Sequence, residues 1–109
     1  MKKLTISFEQ PKIEINGYVF DLLKSDGDIM QDAILLKEKY VSLDTKDAKA
    51  VVALARESAN YIDEILGAGA LKKISGGCPV SIMKTIEVMT QIAAAAADSY
   101  AEYVSHEYD

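Results

Sequence analysis

The sequence predicts an α+β fold: a small N-terminal antiparallel β meander or hairpin followed by three helices. Three observations predict it. Apolar residues alternate in short runs before and around Asn16-Gly17. The apolar period then lengthens to a helical one from about Ile29 onward. Turn-forming clusters at Ser25–Asp28, Asp44-Thr45 and Gly67–Pro79 separate the helical stretches.

The elements follow in order. Lys3 to Phe8 reads as a strand, with Leu4, Ile6 and Phe8 alternating with Lys3, Thr5 and Ser7, and Pro11 breaks it. Lys12–Ile15 and Tyr18–Leu22 flank Asn16-Gly17. A type I′ turn needs positive φ at both central residues, and this dipeptide supplies it. A two-residue turn pairs Ile15 with Tyr18 and Ile13 with Phe20. These four side chains then share one face, opposite Glu14 and Val19.

Ser25-Asp26-Gly27-Asp28 is a turn that offers helix N-caps. The first helix carries Ile29, Ala33, Leu36 and Tyr40 on one face. Asp44-Thr45 is expected to cap the second, with Asp47 in its first turn. Its stripe is Val51, Ala55, Ser58, Ile62 and Ile65, widened by Val52, Ala59 and Leu66. Gly67 then stops it. A turn of helix fits Ala70 to Ile74. Pro79 suits the first turn of the last helix, which runs to about Glu107. Ile82, Ile86, Met89, Ala93, Ala96, Tyr100, Tyr103 and Val104 line one side of that helix. Its thin middle, Ala93–Ala97, admits a close backbone. Three strands cannot bury an apolar face alone, so the helices should pack on one side of the sheet.

These elements make a single domain over residues 1–109, with a β-rich start over 1–23 and a helical body over 28–108. At 109 residues the chain can bury one core. Seventeen acids against 12 bases give a formal charge of −5, which disfavours nucleic acid as a partner. One cysteine and one histidine exclude a disulfide framework and Cys₂His₂ or Cys₄ zinc sites. Lys2-Lys3 has no apolar stretch behind it, so no signal peptide is expected. The longest apolar run, Ile92–Ala97, is too short to span a bilayer. The expected location is the cytoplasm, without membrane contact.

The residues that carry chemistry are few. Cys78 stands ahead of a helix N-terminus, where a thiol pKa can fall. Its only histidine partner, His106, lies about 28 residues on along that helix, roughly 40 Å away. Cys78 is therefore read as a packing or incidental residue and His106 as a solvated helix end. Gly67–Lys73 lacks the spacing of a phosphate-binding loop and follows a helix rather than a strand. Asp26 with Asp28 lacks the rest of a calcium loop. Asp44 with Asp47 finds no further partner either. Asp63 and Glu64 are adjacent on a helix and are read as a solvated face. Tyr100, Tyr103 and Tyr108 are either a contact patch or, preferably, core residues with hydroxyls in water. No catalytic, cofactor or metal site is expected. Met30, Ile34, Leu35, Leu54, Met83, Val88 and Met89 sit at the margins of the stripes, where methionines suit irregular partners.

The segment Ile62-Asp63-Glu64-Ile65-Leu66-Gly67-Ala68-Gly69-Ala70-Leu71-Lys72-Lys73-Ile74, preceded by a β start at Ile13–Gly17, resembles the tail assembly chaperones of long-tailed bacteriophages and prophages. The layout resembles that family over most of the chain; the specific part is Ile62–Ile74. The resemblance implies a non-catalytic chaperone that binds the tape-measure protein, and possibly the tail tube protein, as a homo-oligomer. It implies partner-binding residues among the apolar margins: Leu54, Ile65, Leu66, Leu71 and Ile74. The alternative is a structural tail or connector subunit that stays in the virion.

Overall fold

The structure is a computed structural model. It describes the backbone of residues 1–8 and 10–108, and the side chains of residues 1–8 and 10–98. A two-stranded antiparallel hairpin leads into four helices. The strands are β1 (Lys12–Ile15) and β2 (Tyr18–Asp21). The helices are α1 (Asp26–Val41), α2 (Ala48–Leu66), α3 (Ala70–Ser75) and α4 (Ile82–Tyr108). The α+β class holds, and α3 is the turn of helix expected at Ala70–Ile74.

The hairpin takes the register that the turn dictates. Ile15 pairs with Tyr18 and Ile13 with Phe20. Asn16 and Gly17 adopt φ of 52° and 83°, the left-handed pair that matches the right-handed twist of the strands. Phe20 is buried and Ile13 and Ile15 are half-buried against the core, while Glu14 and Val19 face out. The helices thus lie on one side of the hairpin.

The expected strand at Lys3–Phe8 does not form. Leu4, Ile6 and Phe8 are 84%, 71% and 93% exposed. Alternation alone does not make a strand; a ladder needs a partner edge, and none lies beside this segment. Instead, the hairpin extends backward past Lys12. The Leu22 N–H donates to the Pro11 carbonyl at 2.8 Å, and Gln10 Nε2 donates to the Leu22 carbonyl at 3.3 Å.

Helix boundaries follow their caps. Ser25 accepts the Asp28 N–H at 3.1 Å, so α1 begins at Asp26, ahead of Ile29. Asp47, rather than Asp44 or Thr45, caps α2 by accepting the Ala50 N–H at 3.2 Å. Asp44 is used one turn earlier, accepting the Lys46 N–H. Pro79 lies three residues ahead of α4, and Ser81 takes the cap position, accepting the Lys84 N–H.

The core centres on Ile29 and Leu36 of α1, Ile62 and Ile65 of α2, and Met89 and Ile92 of α4. Two buried hydroxyls serve their own helices: Ser58 donates to the Leu54 carbonyl and Thr85 to the Ile82 carbonyl. No buried polar side-chain atom among the described residues lacks a partner. On α4 the buried line is Thr85, Met89, Ile92 and Ala96, with Ile82, Ile86 and Ala93 beside it. Tyr100, Tyr103 and Val104 lie outside the described side chains.

The Asp47 cap has a measurable worth. Asp47→Ala removes one N-terminal acceptor and should cost about 1 kcal/mol, lowering the melting temperature by roughly 4 °C or more. Asp44→Ala should cost less. Thermal denaturation of the two variants checks the assignment.

Candidate functional site

The five residues implied as partner-binding occupy two environments. Leu54, Ile65 and Leu66 are buried in the core. Leu71 and Ile74 are half-buried and pack against it. The error for Leu54 is one of helical phase. Leu54, Ser58, Ile62 and Ile65 recur at steps of four, four and three and form the buried line. Val51 and Ala55 flank it, half-buried. A large residue won the central position from the smaller Val and Ala beside it. Truncating such a buried Leu costs about 2–5 kcal/mol, so its contribution is to the fold.

The exposed apolar surface lies elsewhere. Ile34 and Met83 are 58% and 59% exposed, and Leu35 is also open. Met30 and Val88 are half-buried, and Met89 is buried. Ile34 and Met30 belong to a groove of about 330 Å³ between α1 and α4. Met30, Ala33, Ile34 and Lys37 form the α1 wall at steps of three, one and three. Ile86, Thr90, Ala93, Ala94 and Ala97 form the α4 wall. The α4 wall runs about 16 Å along the helix. Three residues of the alanine run expected to admit a close backbone, Ala93, Ala94 and Ala97, thus line this open groove, and the buried Leu36 and Met89 complete its lining. Among the described residues Lys37 is the only charged one in the lining.

The Ile62–Ile74 segment is a joint rather than a surface. Gly67 has φ of 114°, a conformation that a side chain would strain, and the chain reverses there. Asp63 on the last turn of α2 reaches across the reversal. Its Oδ1 accepts the Leu71 N–H at 3.1 Å and its Oδ2 the Gly69 N–H at 3.3 Å. A carboxylate at the start of α3 satisfies amides that a six-residue helix cannot satisfy internally. The reading of Asp63 as part of a solvated face is therefore corrected, while Glu64 stays exposed. Glu64 pairs with Lys24 at 3.4 Å, and Lys24 also pairs with Asp32 at 3.1 Å. The hydrogen bond to Asp32, opposed by partial burial, raises the Lys24 pKa above its ordinary value. Sequence spacing held one sign of the Asp63 role: an acid six and eight residues ahead of two amides that follow a glycine stop.

The remaining chemistry-bearing residues stay apart. Cys78 is exposed and free, on the rim of a second cavity between β1, α3 and α4. His106 and Tyr108 lie outside the described side chains. Asp26 and Asp28 serve the first turn of α1. Gly69 and Leu71 donate to Asp63, so the Gly67–Lys73 run does not present these amides to a phosphate. Among the described residues no group of three His, Cys, Asp or Glu side chains could hold a metal ion. No helix among them is long and apolar enough to cross a membrane. The chain matches no protein-family model, no curated protein and no solved structure.

The Asp63 joint is testable. Asp63→Ala should destabilise the protein by about 1–2 kcal/mol and speed amide exchange at Gly69 and Leu71. Asp63→Asn keeps one acceptor oxygen and should lose less. Unchanged exchange at both amides in Asp63→Ala would refute the cap.

Proposed function

We propose that this chain is a prophage- or phage-encoded tail assembly chaperone that binds the tape-measure protein during tail morphogenesis, without catalysis. The observation that carries the reading is the open groove between α1 and α4. Its lining is largely apolar, with Ala93, Ala94 and Ala97 on the α4 side and the exposed Ile34 on the α1 side. Such a groove suits the apolar face of an amphipathic helix, read as anchors at helical spacing. The tape-measure protein is long and helical and would offer many such faces, as the resemblance of Ile62–Ile74 to the chaperone family implies. Weak contacts repeated along one client gain strength by effective concentration.

The reading moves the docking residues away from the buried Leu54, Ile65 and Leu66. Met30, Ile34 and Ala94 replace them, with Lys37 at the rim to meet an acidic residue of the client. Met30 suits this task because an unbranched thioether adapts to different helices.

Two exposed positions separate binding from folding. Ile34→Lys and Ala94→Lys should each weaken binding of a helical tape-measure fragment at least tenfold, about 1.4 kcal/mol, with little change in melting temperature. Titration calorimetry with the fragment reads the first effect and thermal denaturation the second. Wild-type affinity in both variants would remove the groove from the interface. Purified particles should lack the chain; finding it there would instead support a structural tail subunit.

A further inference from the structure

We infer that the segment Lys3–Phe8 forms a third strand on the open β1 edge of a second copy of this chain, exchanged between two copies. Four observations lead there.

The segment has the pattern of a strand and no partner. Leu4, Ile6 and Phe8 fall on one face at period two and are largely exposed. Among the described residues no hydrogen bond or ion pair involves residues 1–8.

The place for a third strand is already built. In the β1–β2 ladder, the bonds at Ile15–Tyr18 and Pro11–Leu22 fix the alternation, so the backbone groups of Lys12 and Glu14 point to the free edge of β1. Beside that edge lies a cavity of about 590 Å³. From the strands it takes residues of β1 alone, none of β2. Ile13, Ile15, Leu71, Ile74, Val88 and Ile92 supply its apolar side, and Glu14, Asn16, Ser75, Lys84, Glu87 and Gln91 its polar side. A strand on the β1 edge would drop alternate side chains into this space, and the segment supplies three apolar ones.

The connection within one chain does not suit the reversal. Pro11 is held opposite Leu22, and the Gln10 side chain is bonded to the Leu22 carbonyl. That leaves Glu9-Gln10 as the turn. A two-residue hairpin turn favours Gly, Asn or Asp with positive φ, and Gln10, preceding a proline, is confined to extended conformations. The edge is therefore better met by the segment of another copy.

Charge agrees. Lys2 and Lys3 lead the segment, whereas the chain as a whole carries −5. Glu14, on the β1 edge and the cavity rim, forms no ion pair among the described residues. Reciprocal exchange closes a two-fold dimer, since each copy donates one strand and accepts one. Main-chain bonds would supply the pairing and the cavity its register, as in other strand additions.

The chain alone tests this, apart from any client, so its failure leaves the groove reading standing. Sedimentation equilibrium of the full chain should give twice 11.9 kDa. Deleting residues 1–8, or Ile6→Pro, which blocks strand pairing while keeping the segment, should give the monomer mass with the circular dichroism of a folded protein. Hydrogen exchange should show Lys12 and Glu14 amides protected in the full chain and fast in both variants. A monomeric full chain overturns the inference, and protected edge amides in that monomer would assign the strand to the same chain. A dimer that survives removal of the segment overturns it as well.

Discussion

The last turn of α2 holds the two halves of the chain together. Four consecutive residues tie it to α3, to the link between β2 and α1, and to the core. Asp63 caps α3. Glu64 pairs with Lys24 in the link between β2 and α1. The Ile65 carbonyl accepts the Leu23 N–H at 2.7 Å. Leu66 is buried in the core. The hairpin docks on the helices through this turn and through Asn16, whose Nδ2 donates to the Ile74 carbonyl at 3.1 Å. Without the reversal at Gly67, α3 would not lie under the hairpin and the cavity beside β1 would have no floor. The segment whose sequence stands out most is thus the one that fixes the geometry of the rest.

Local signals were legible where the chain decides its own conformation. Asn16-Gly17 determined the hairpin register, because positive φ at two adjacent positions leaves few alternatives. Helical periodicity located α1, α2 and α4. The failures came where a partner decides. Lys3–Phe8 alternates like a strand, yet pairing needs an edge that the segment does not reach. Asp44, Thr45 and Asp47 all qualify as caps, and the N–H groups of α2 chose among them. Leu54 was displaced from the stripe because Val51 and Ala55 fit a helical period nearly as well. The core side of a helix is set by which line carries the bulk.

The candidate site was the least legible part. A groove needs two helices, so neither α1 nor α4 announces it alone. Ile34 and Met30 could be singled out as marginal apolar residues, and the Ala93–Ala97 run as thin. Only their meeting across 59 to 67 positions of sequence turns two margins into one trough. The same holds for the second cavity, which draws on β1, α3 and α4. The apolar trough and the mixed-lined slot flank α4 on different sides of the helix.

The short helix α3 gives the molecule two levels of stability. Six residues fall well below the length at which a helix holds itself in water. Side-chain bonds from Asp63 and Asn16, the buried Ala70 and half-buried contacts from Leu71 and Ile74 hold it in place. The helices that share Ile62, Ile65, Met89 and Ile92 open only with the whole core. α3 can detach as a small cooperative unit at a fraction of that free energy. Its release would remove the floor of the slot beside β1 while leaving the trough between α1 and α4 intact. One face of the protein can therefore breathe while the other stays set.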